Sequence, residues 1–443
     1  MFLRRNAMPQ LAILGGQLVR TKPLPSWPVF DQDEEQALLE DLRSGKWWRF
    51  SYGQGVELRE PEPGQPRSRV VEFEEAFAQM QQARYGIACA NGTAALEISL
   101  KALGIGPGDE VIVPAYSFVA TATAPLQVNA VPIFVDIELD TLNIDPRRVE
   151  EAVTPATKAI IPVHFGGLAC NMDALLGIAK RHNLFIIEDA AHGHAGTWRN
   201  RGLGSIGNAG TFSFQASKNM TSGEGGLITT SDHELAALCE SYLWAGRETG
   251  QPWYEHYRLG WNYRVTEFQA AILLQQMKRL EAQNQKRREN ASYLSGRLAE
   301  VPGIYPLRVP EYVTKPTYHI FAFRLDELGF GVSRKNLLKA LAAEGIPCFG
   351  GYTHPLYKNP MFLNQDFYPH GCPLTCGHYA KPIDYASFEA RCPNSEHACR
   401  EMIWLEHRLF LAGQRDMDDI VTAISKIHEH RAELREVAEK ERI

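Results

Sequence analysis

The 443-residue sequence has no uncharged apolar run approaching the ~18 residues that a membrane helix requires. Its opening stretch, MFLRRNAMPQLAILGGQ, carries a basic pair, but the apolar run that follows is short and breaks at Gly15-Gly16, so no signal peptide is expected. A soluble, cytoplasmic chain is the expectation. Cysteine is sparse: eight residues are too few for a disulfide scaffold. Four of them fall late, at Cys372, Cys376, Cys392 and Cys399, with His370, His378 and His397 nearby. Their CxxxC and CxxxxxxC spacings miss the CxxC pairs of structural zinc, so thiols rather than a metal centre are expected there. An excess of one charge is lacking as well. The net charge of −6 is spread along the chain with no basic block, which argues against nucleic acid or an anionic membrane as partner. There is no internal repeat and no low-complexity linker.

What is present is an ordinary globular balance, 44% hydrophobic and 22% charged, long enough for two or three domains. From Ala83 to Ile228 short β-rich runs alternate with helical ones. VIVPAY, VPIFVD, TKAIIPVHFGG and LFIIEDAA read as strands; TAALEISLKALG, ATATAPLQVN and NMDALLGIAKRHN read as helices. The strands are continuous apolar runs, which suits parallel strands covered on both faces. This is the pattern of an α/β fold with a mostly parallel sheet sandwiched by helices, whose ligands bind beyond the carboxyl ends of the strands. Residues 1–300 are assigned to a large domain with an N-terminal arm, closed by one long amphipathic helix that stops at Pro302-Gly303. Residues 301–443 are assigned to a smaller α+β domain, with strand material from Thr317 to Arg324, a helix from Ser333 to Glu344 and a final helix from Met417 to Lys440. The Pro-rich stretch Glu57 to Ser68 reads as a surface loop.

Four strand-end loops carry polar groups that could do chemistry. Asn91-Gly92-Thr93-Ala94 precedes a helix, where free N–H groups favour an anion such as phosphate; the same residues also serve simply as a helix cap. Tyr116 and Phe118 follow the strand Val111 to Val113 and could stack on a planar ligand or belong to the core. Glu188-Asp189 ends a buried strand, where a carboxylate requires a cationic partner: an ordinary Arg or Lys, or a ligand nitrogen kept protonated. His192 and His194 follow. The fourth loop, TFSFQASKNMTSGEGG, sets Lys218 between Ser213, Ser217 and the glycines 223, 225 and 226. A lysine desolvated at a sheet end has a lowered pKa, and its neutral amine can form a Schiff base. An anion site, a stacking ring, a strand-end carboxylate and a loop lysine are together the parts that pyridoxal 5'-phosphate requires.

Four long motifs, ANGTAALEISLKALGIGPGDEVIVPAYSFVATA, IIEDAAHGHAG, TFSFQASKNMTSGEGG and GWNYRVTEFQAAIL, resemble the sugar aminotransferase family of fold-type I pyridoxal phosphate enzymes, and the likeness runs from about Trp27 through the C-terminal helix. The resemblance implies that Lys218 is the Schiff-base lysine and proton carrier, Asp189 the partner of the pyridine nitrogen, Phe118 the stacking ring, and His192 the group beside the ring hydroxyl. It implies phosphate contacts from Gly92, Thr93, Ala94 and Ser213. It also implies that Asn262 reaches the phosphate from a neighbouring subunit, hence a homodimer with shared sites. The activity implied is ping-pong transfer of an amino group from glutamate or glutamine to a keto sugar or keto cyclitol. THPLYKNPMF and the lysine loop look more like members acting on cyclitol ketones such as scyllo-inosose, or making aminohydroxybenzoate, than like nucleotide-sugar members. A dehydrating or aromatising enzyme of the same family is the alternative, and a non-catalytic cofactor-binding regulator a more distant one. Lysine rather than histidine at position 218 favours amino transfer.

Overall fold

The computed structural model describes residues 10–52, 67–368, 371–375, 377–379 and 381–440, the side chains of 436–440 excepted. Seven strands build the central sheet: β1 (Tyr85–Cys89), β2 (Glu110–Pro114), β3 (Val131–Val135), β4 (Thr157–Ile160), β5 (Phe185–Asp189), β6 (Ala209–Ser213) and β7 (Gly226–Thr230). Their spatial order is β1-β7-β6-β5-β4-β2-β3. Only β7 runs against the rest, pairing antiparallel with β1 and β6. Every residue of β2, β6 and β7 is buried. That double-sided burial is why these strands read as unbroken apolar runs.

Register fixes where the strand ends meet. Gly226, the first residue of β7, lies opposite Cys89 on one side and Ser213 on the other. The loop after β1 therefore emerges beside the end of β6. Neither approach tolerates a side chain: a Cβ on Gly226 would sit 2.3 Å from the Asn91 carbonyl carbon, and one on Gly92 would sit 2.8 Å from Ser213 Cβ.

The long helix is Glu267–Leu298. Its last turns carry Ala291, Leu294 and Leu298 into a separate apolar cluster beneath a three-stranded antiparallel sheet of Ile304–Pro306, Ile320–Leu325 and Met402–Glu406. Helices Arg334–Ala343 and Gln414–Glu429 cover that sheet. Two sequence expectations shift here. The strand expected from Thr317 begins only at Ile320, because Tyr318 turns the backbone at φ 48°. The single helix expected over Met417 to Lys440 is two, Gln414–Glu429 and Arg431–Lys440, separated at His430.

Segment 356–392 does not stay with the small sheet. Tyr357, Phe362, Tyr385 and Phe388 surround Phe134 of β3, with ring centroids 6.0, 5.1, 5.6 and 5.8 Å away. Of the late cysteines, Cys392 and Cys399 are buried in apolar clusters; Cys376 and His370 lie outside the described residues. Among the described residues no group of three His, Cys, Asp or Glu is placed to hold a metal, and no helix is long and apolar enough to cross a membrane. The Pro-rich stretch lies outside the described residues except for Arg67 and Ser68. Ser68 caps helix Arg69–Met80 and donates to Glu267 at 2.6 Å.

Candidate active site

A cavity of about 670 Å³ opens at the carboxyl ends of β5 and β6. It is lined by Gly92, Thr93, Ala94, Phe118, Asp189, His192, Ser213 and Lys218, so eight of the nine site residues expected from the sequence converge on one space. Asn262 does not line it. That residue is exposed and its backbone pairs with that of buried Trp244 in its own chain.

Asn91 opens helix Gly92–Ala102, and its Oδ1 accepts the Ala94 N–H at 2.9 Å. The cap and the anion site are therefore both present, divided by residue. Ala94's amide is committed to the cap and its side chain lines the cavity, whereas Gly92 and Thr93 stand in the first turn, whose amides have no intrahelical acceptor. Ser213 brings its hydroxyl to the same end of the cavity.

Asp189 is buried at the end of β5. Its Oδ2 accepts the Thr121 hydroxyl at 2.9 Å, and its Oδ1 accepts the Ala191 N–H at 3.2 Å. Ser117 lies 2.9 Å beyond, hydroxyl to hydroxyl with Thr121. Burial raises the pKa of Asp189, opposed by these two hydrogen bonds and by the Lys218 charge. A carboxylate with two neutral donors and no arginine is short of positive charge, and its remaining lone pairs suit a protonated ring nitrogen. Phe118, 61% exposed in the single chain, supplies a ring at the cavity wall, and Val163 supplies an apolar surface.

Lys218 is half-buried, and burial pulls its pKa down to about 8, with Asp189 acting in the opposite direction. Its amine is thus neutral in an appreciable fraction near neutral pH. His192 accepts the Gly166 N–H on Nδ1 at 3.2 Å, which leaves Nε2 to carry the ring proton. Burial, followed by the Lys218 charge, holds this imidazole well below its ordinary pKa, so it acts as a neutral donor. Tyr116 goes to the core, packed on Phe165, Tyr352 and Trp404. His194 also stays out of the cavity, stacked on Phe214 at 5.3 Å.

Sequence reasoning passed over Thr121, Val163 and Tyr263. Thr121 sits in a run of small residues that reads as helix filler, and nothing local shows that it faces Asp189. Tyr263, adjacent to Asn262, lines the cavity and is hydrogen-bonded to Glu97.

Residues 65–384 match a family model described as the DegT/DnrJ/EryC1/StrS aminotransferase family. The L-glutamine:2-deoxy-scyllo-inosose aminotransferase of Streptoalloteichus tenebrarius is 37% identical over 448 residues, covering 96% of this chain and 99% of that protein. The crystal structure of 3-amino-5-hydroxybenzoic acid synthase aligns at TM-score 0.81 and 31% identity, covering 92% of this chain and 99% of that one. NtdA of Bacillus subtilis, solved with bound cofactor PMP, aligns at TM-score 0.72 and 28% identity over 90% of this chain and 81% of that one. With a matching model over most of its length and relatives that share its whole architecture, the chain is an aminotransferase and belongs to the DegT/DnrJ/EryC1/StrS aminotransferase family.

Proposed function

We propose that the cavity holds pyridoxal 5'-phosphate and that the protein transfers the amino group of glutamine to the ketone of a polyhydroxylated cyclitol. The observation that carries this is the pairing of a neutral-capable amine, Lys218, with a buried carboxylate, Asp189, that no arginine neutralises. The residues fit the cofactor group by group. The Gly92 and Thr93 amides and the Ser213 hydroxyl would hold the phosphate, in a space that a Cβ on Gly92 would close. Asp189 would accept the ring N–H, Phe118 would cover one ring face, and His192 Nε2 would donate at the ring hydroxyl. Bound there, the cofactor supplies an aldehyde that captures amines and a ring that stores the electron pair left when a proton departs.

The chain's own residues then do the rest. Lys218 Nζ takes a proton from the substrate carbon and returns it, for which a pKa near 8 is suited because both protonation states are accessible at working pH. Thr121 and the Ala191 N–H keep the Asp189 carboxylate oriented while Lys218 cycles. The choice of a cyclitol ketone and of glutamine rests on the names of the relatives aligned over the whole chain. A panel of keto cyclitols and nucleotide-linked keto sugars, each offered with glutamine or glutamate, tests it: amination of the nucleotide-linked class alone overturns the cyclitol assignment.

The same reading makes the protein a homodimer in which Asn262 serves the neighbour's cavity. Its exposure, together with exposed Trp253, Tyr254 and Leu259 on the same stretch, supports this. Mixing refolded Lys218→Ala and Asn262→Ala chains, each inactive alone, is expected to restore up to about a quarter of wild-type activity through hybrids with one intact site. No recovery counts against shared sites.

A further inference from the structure

The long helix buries one arginine without a counter-charge. Arg287 is 0% exposed, and among the described residues it forms no ion pair with any carboxylate. Burial lowers its pKa to about 9. Its polar contacts are to neutral groups: Nη1 donates to Asn284 Oδ1 at 2.8 Å and Nη2 to His407 Nδ1 at 3.1 Å, while Nε has no partner. Its guanidinium lies over the Trp27 ring at 5.5 Å. A desolvated cation held this way is a net burden on stability, so its presence calls for another reason.

Each neighbour of Arg287 leads to the backbone around Lys218. His407 Nε2 lies 2.9 Å from the Ser217 carbonyl oxygen, which can only accept, so Nε2 carries the proton. His407 Nδ1 is then a bare lone pair and accepts from Arg287; the arginine thus dictates the tautomer that grips Ser217. Trp27 packs edge-on against His407 at 4.5 Å and donates its indole N–H to the Ala216 carbonyl at 2.9 Å. Asn284 Oδ1, the acceptor from Arg287, also accepts from Asn219 Nδ2 at 3.4 Å, and Asn219 donates to the Thr317 carbonyl at 2.9 Å as well. The two peptide carbonyls before Lys218 and the side chain after it are all held through one guanidinium. His319, between His192 and His407, donates from Nδ1 to the other end of the amide, Asn219 Oδ1, at 3.1 Å.

We propose that Arg287 is a positioning residue for Lys218: through His407, Trp27 and Asn284 it fixes the peptide that carries the reactive amine, and the fold tolerates an unpaired buried cation for that purpose. The inference rests on Lys218 being the reactive amine.

Arg287→Met keeps the bulk and removes the donors and the charge. Its kcat is expected to fall about 10²-fold, the scale on which a displaced reacting group acts, while KM for ketone and donor stays within about threefold, the pattern of an interaction that matters in the transition state. Its urea midpoint is expected to stay unchanged or rise, because the buried charge is gone. In the chain without substrate, amide exchange of a peptide spanning Ser217 to Asn219 is expected to quicken. His407→Gln, whose amide can both donate to Ser217 and accept from Arg287, is expected to retain most of the activity that His407→Leu loses. Wild-type kcat in Arg287→Met overturns the proposal. So does a loss of kcat that merely follows a lowered urea midpoint, with His407→Gln as impaired as His407→Leu. Lys218→Ala, run in parallel, separates the two ideas. An active Lys218→Ala defeats the reading of the site itself, whereas an inactive Lys218→Ala beside a fully active Arg287→Met defeats only the role of Arg287.

Discussion

Glu188 and Asp189 are neighbours at the end of β5, and strand alternation sends them to opposite faces of the sheet. On one face, Glu188 is saturated. It accepts from His164 Nε2 at 2.9 Å and from the backbone amides of Gly204, Ile206 and Gly207 at 2.8, 2.7 and 2.7 Å. On the other face, Asp189 has one hydroxyl and one amide, and looks across a cavity towards Lys218. Both carboxylates are buried, both end the same strand, and only one is left wanting a partner. A filled acceptor shell pins a loop; a partly filled one facing a cavity keeps lone pairs that the proposed site would use.

That contrast can be tested from its strongest point outward. Lys218→Ala removes the amine opposite Asp189, and amino-product formation followed by chromatography should fall by about 10²–10⁴-fold or more. Asp189→Asn keeps the shape and removes the charge; turnover should fall about 10²–10³-fold, while the urea-unfolding free energy moves by less than about 1 kcal/mol. Glu188→Gln should do the reverse, with unfolding free energy falling about 2–4 kcal/mol as four donors lose an ionised acceptor and turnover per folded molecule nearly preserved. If the two variants behave alike, the distinction between the faces collapses.

A smaller effect follows from the titration of Lys218. It loses its proton near 8 when folded and near about 10.4 when unfolded. At pH 7 the folded chain therefore carries a poorly solvated ammonium, a burden that fades as pH rises from about 8 to about 10.4. Lys218→Met should stabilise the ligand-free chain at pH 7 by about 1–3 kcal/mol, and the gain should vanish in urea titrations above about pH 10. The smallest effect concerns the hydroxyl that supports Asp189: Thr121→Val should reduce turnover about tenfold, the value of one hydrogen bond to a charged group.

The alternation of buried runs and amphipathic helices made the sheet legible in the sequence, and the strand ends gave the addresses of Lys218, Asp189 and the Gly92 loop. Those signals are local: a turn glycine, a pair of carboxylates after four apolar residues, a polar residue before a helix. What stayed hidden depends on contacts between distant segments. Thr121 meets Asp189 across 68 residues, and Arg287 meets His407 across 120. The Ala94 amide goes to the cap because the Asn91 side chain takes it, a choice that the residue pattern alone leaves open. Asn262 marks the same limit: it is exposed and does not line the cavity of its own chain, a placement that no local pattern in the sequence shows.

The aromatic ring of Phe134 has a consequence for how the molecule is made. Four of the rings around it come from residues 357 to 388, so a chain emerging from the ribosome has formed β3 long before the material that covers it exists. The outer edge of the sheet must wait, partly bare, until more than two hundred further residues have been added. A shortened protein ending near residue 300 would keep Lys218, Asp189 and the Gly92 loop yet expose that edge, and it would be expected to reach inclusion bodies before it reached a substrate.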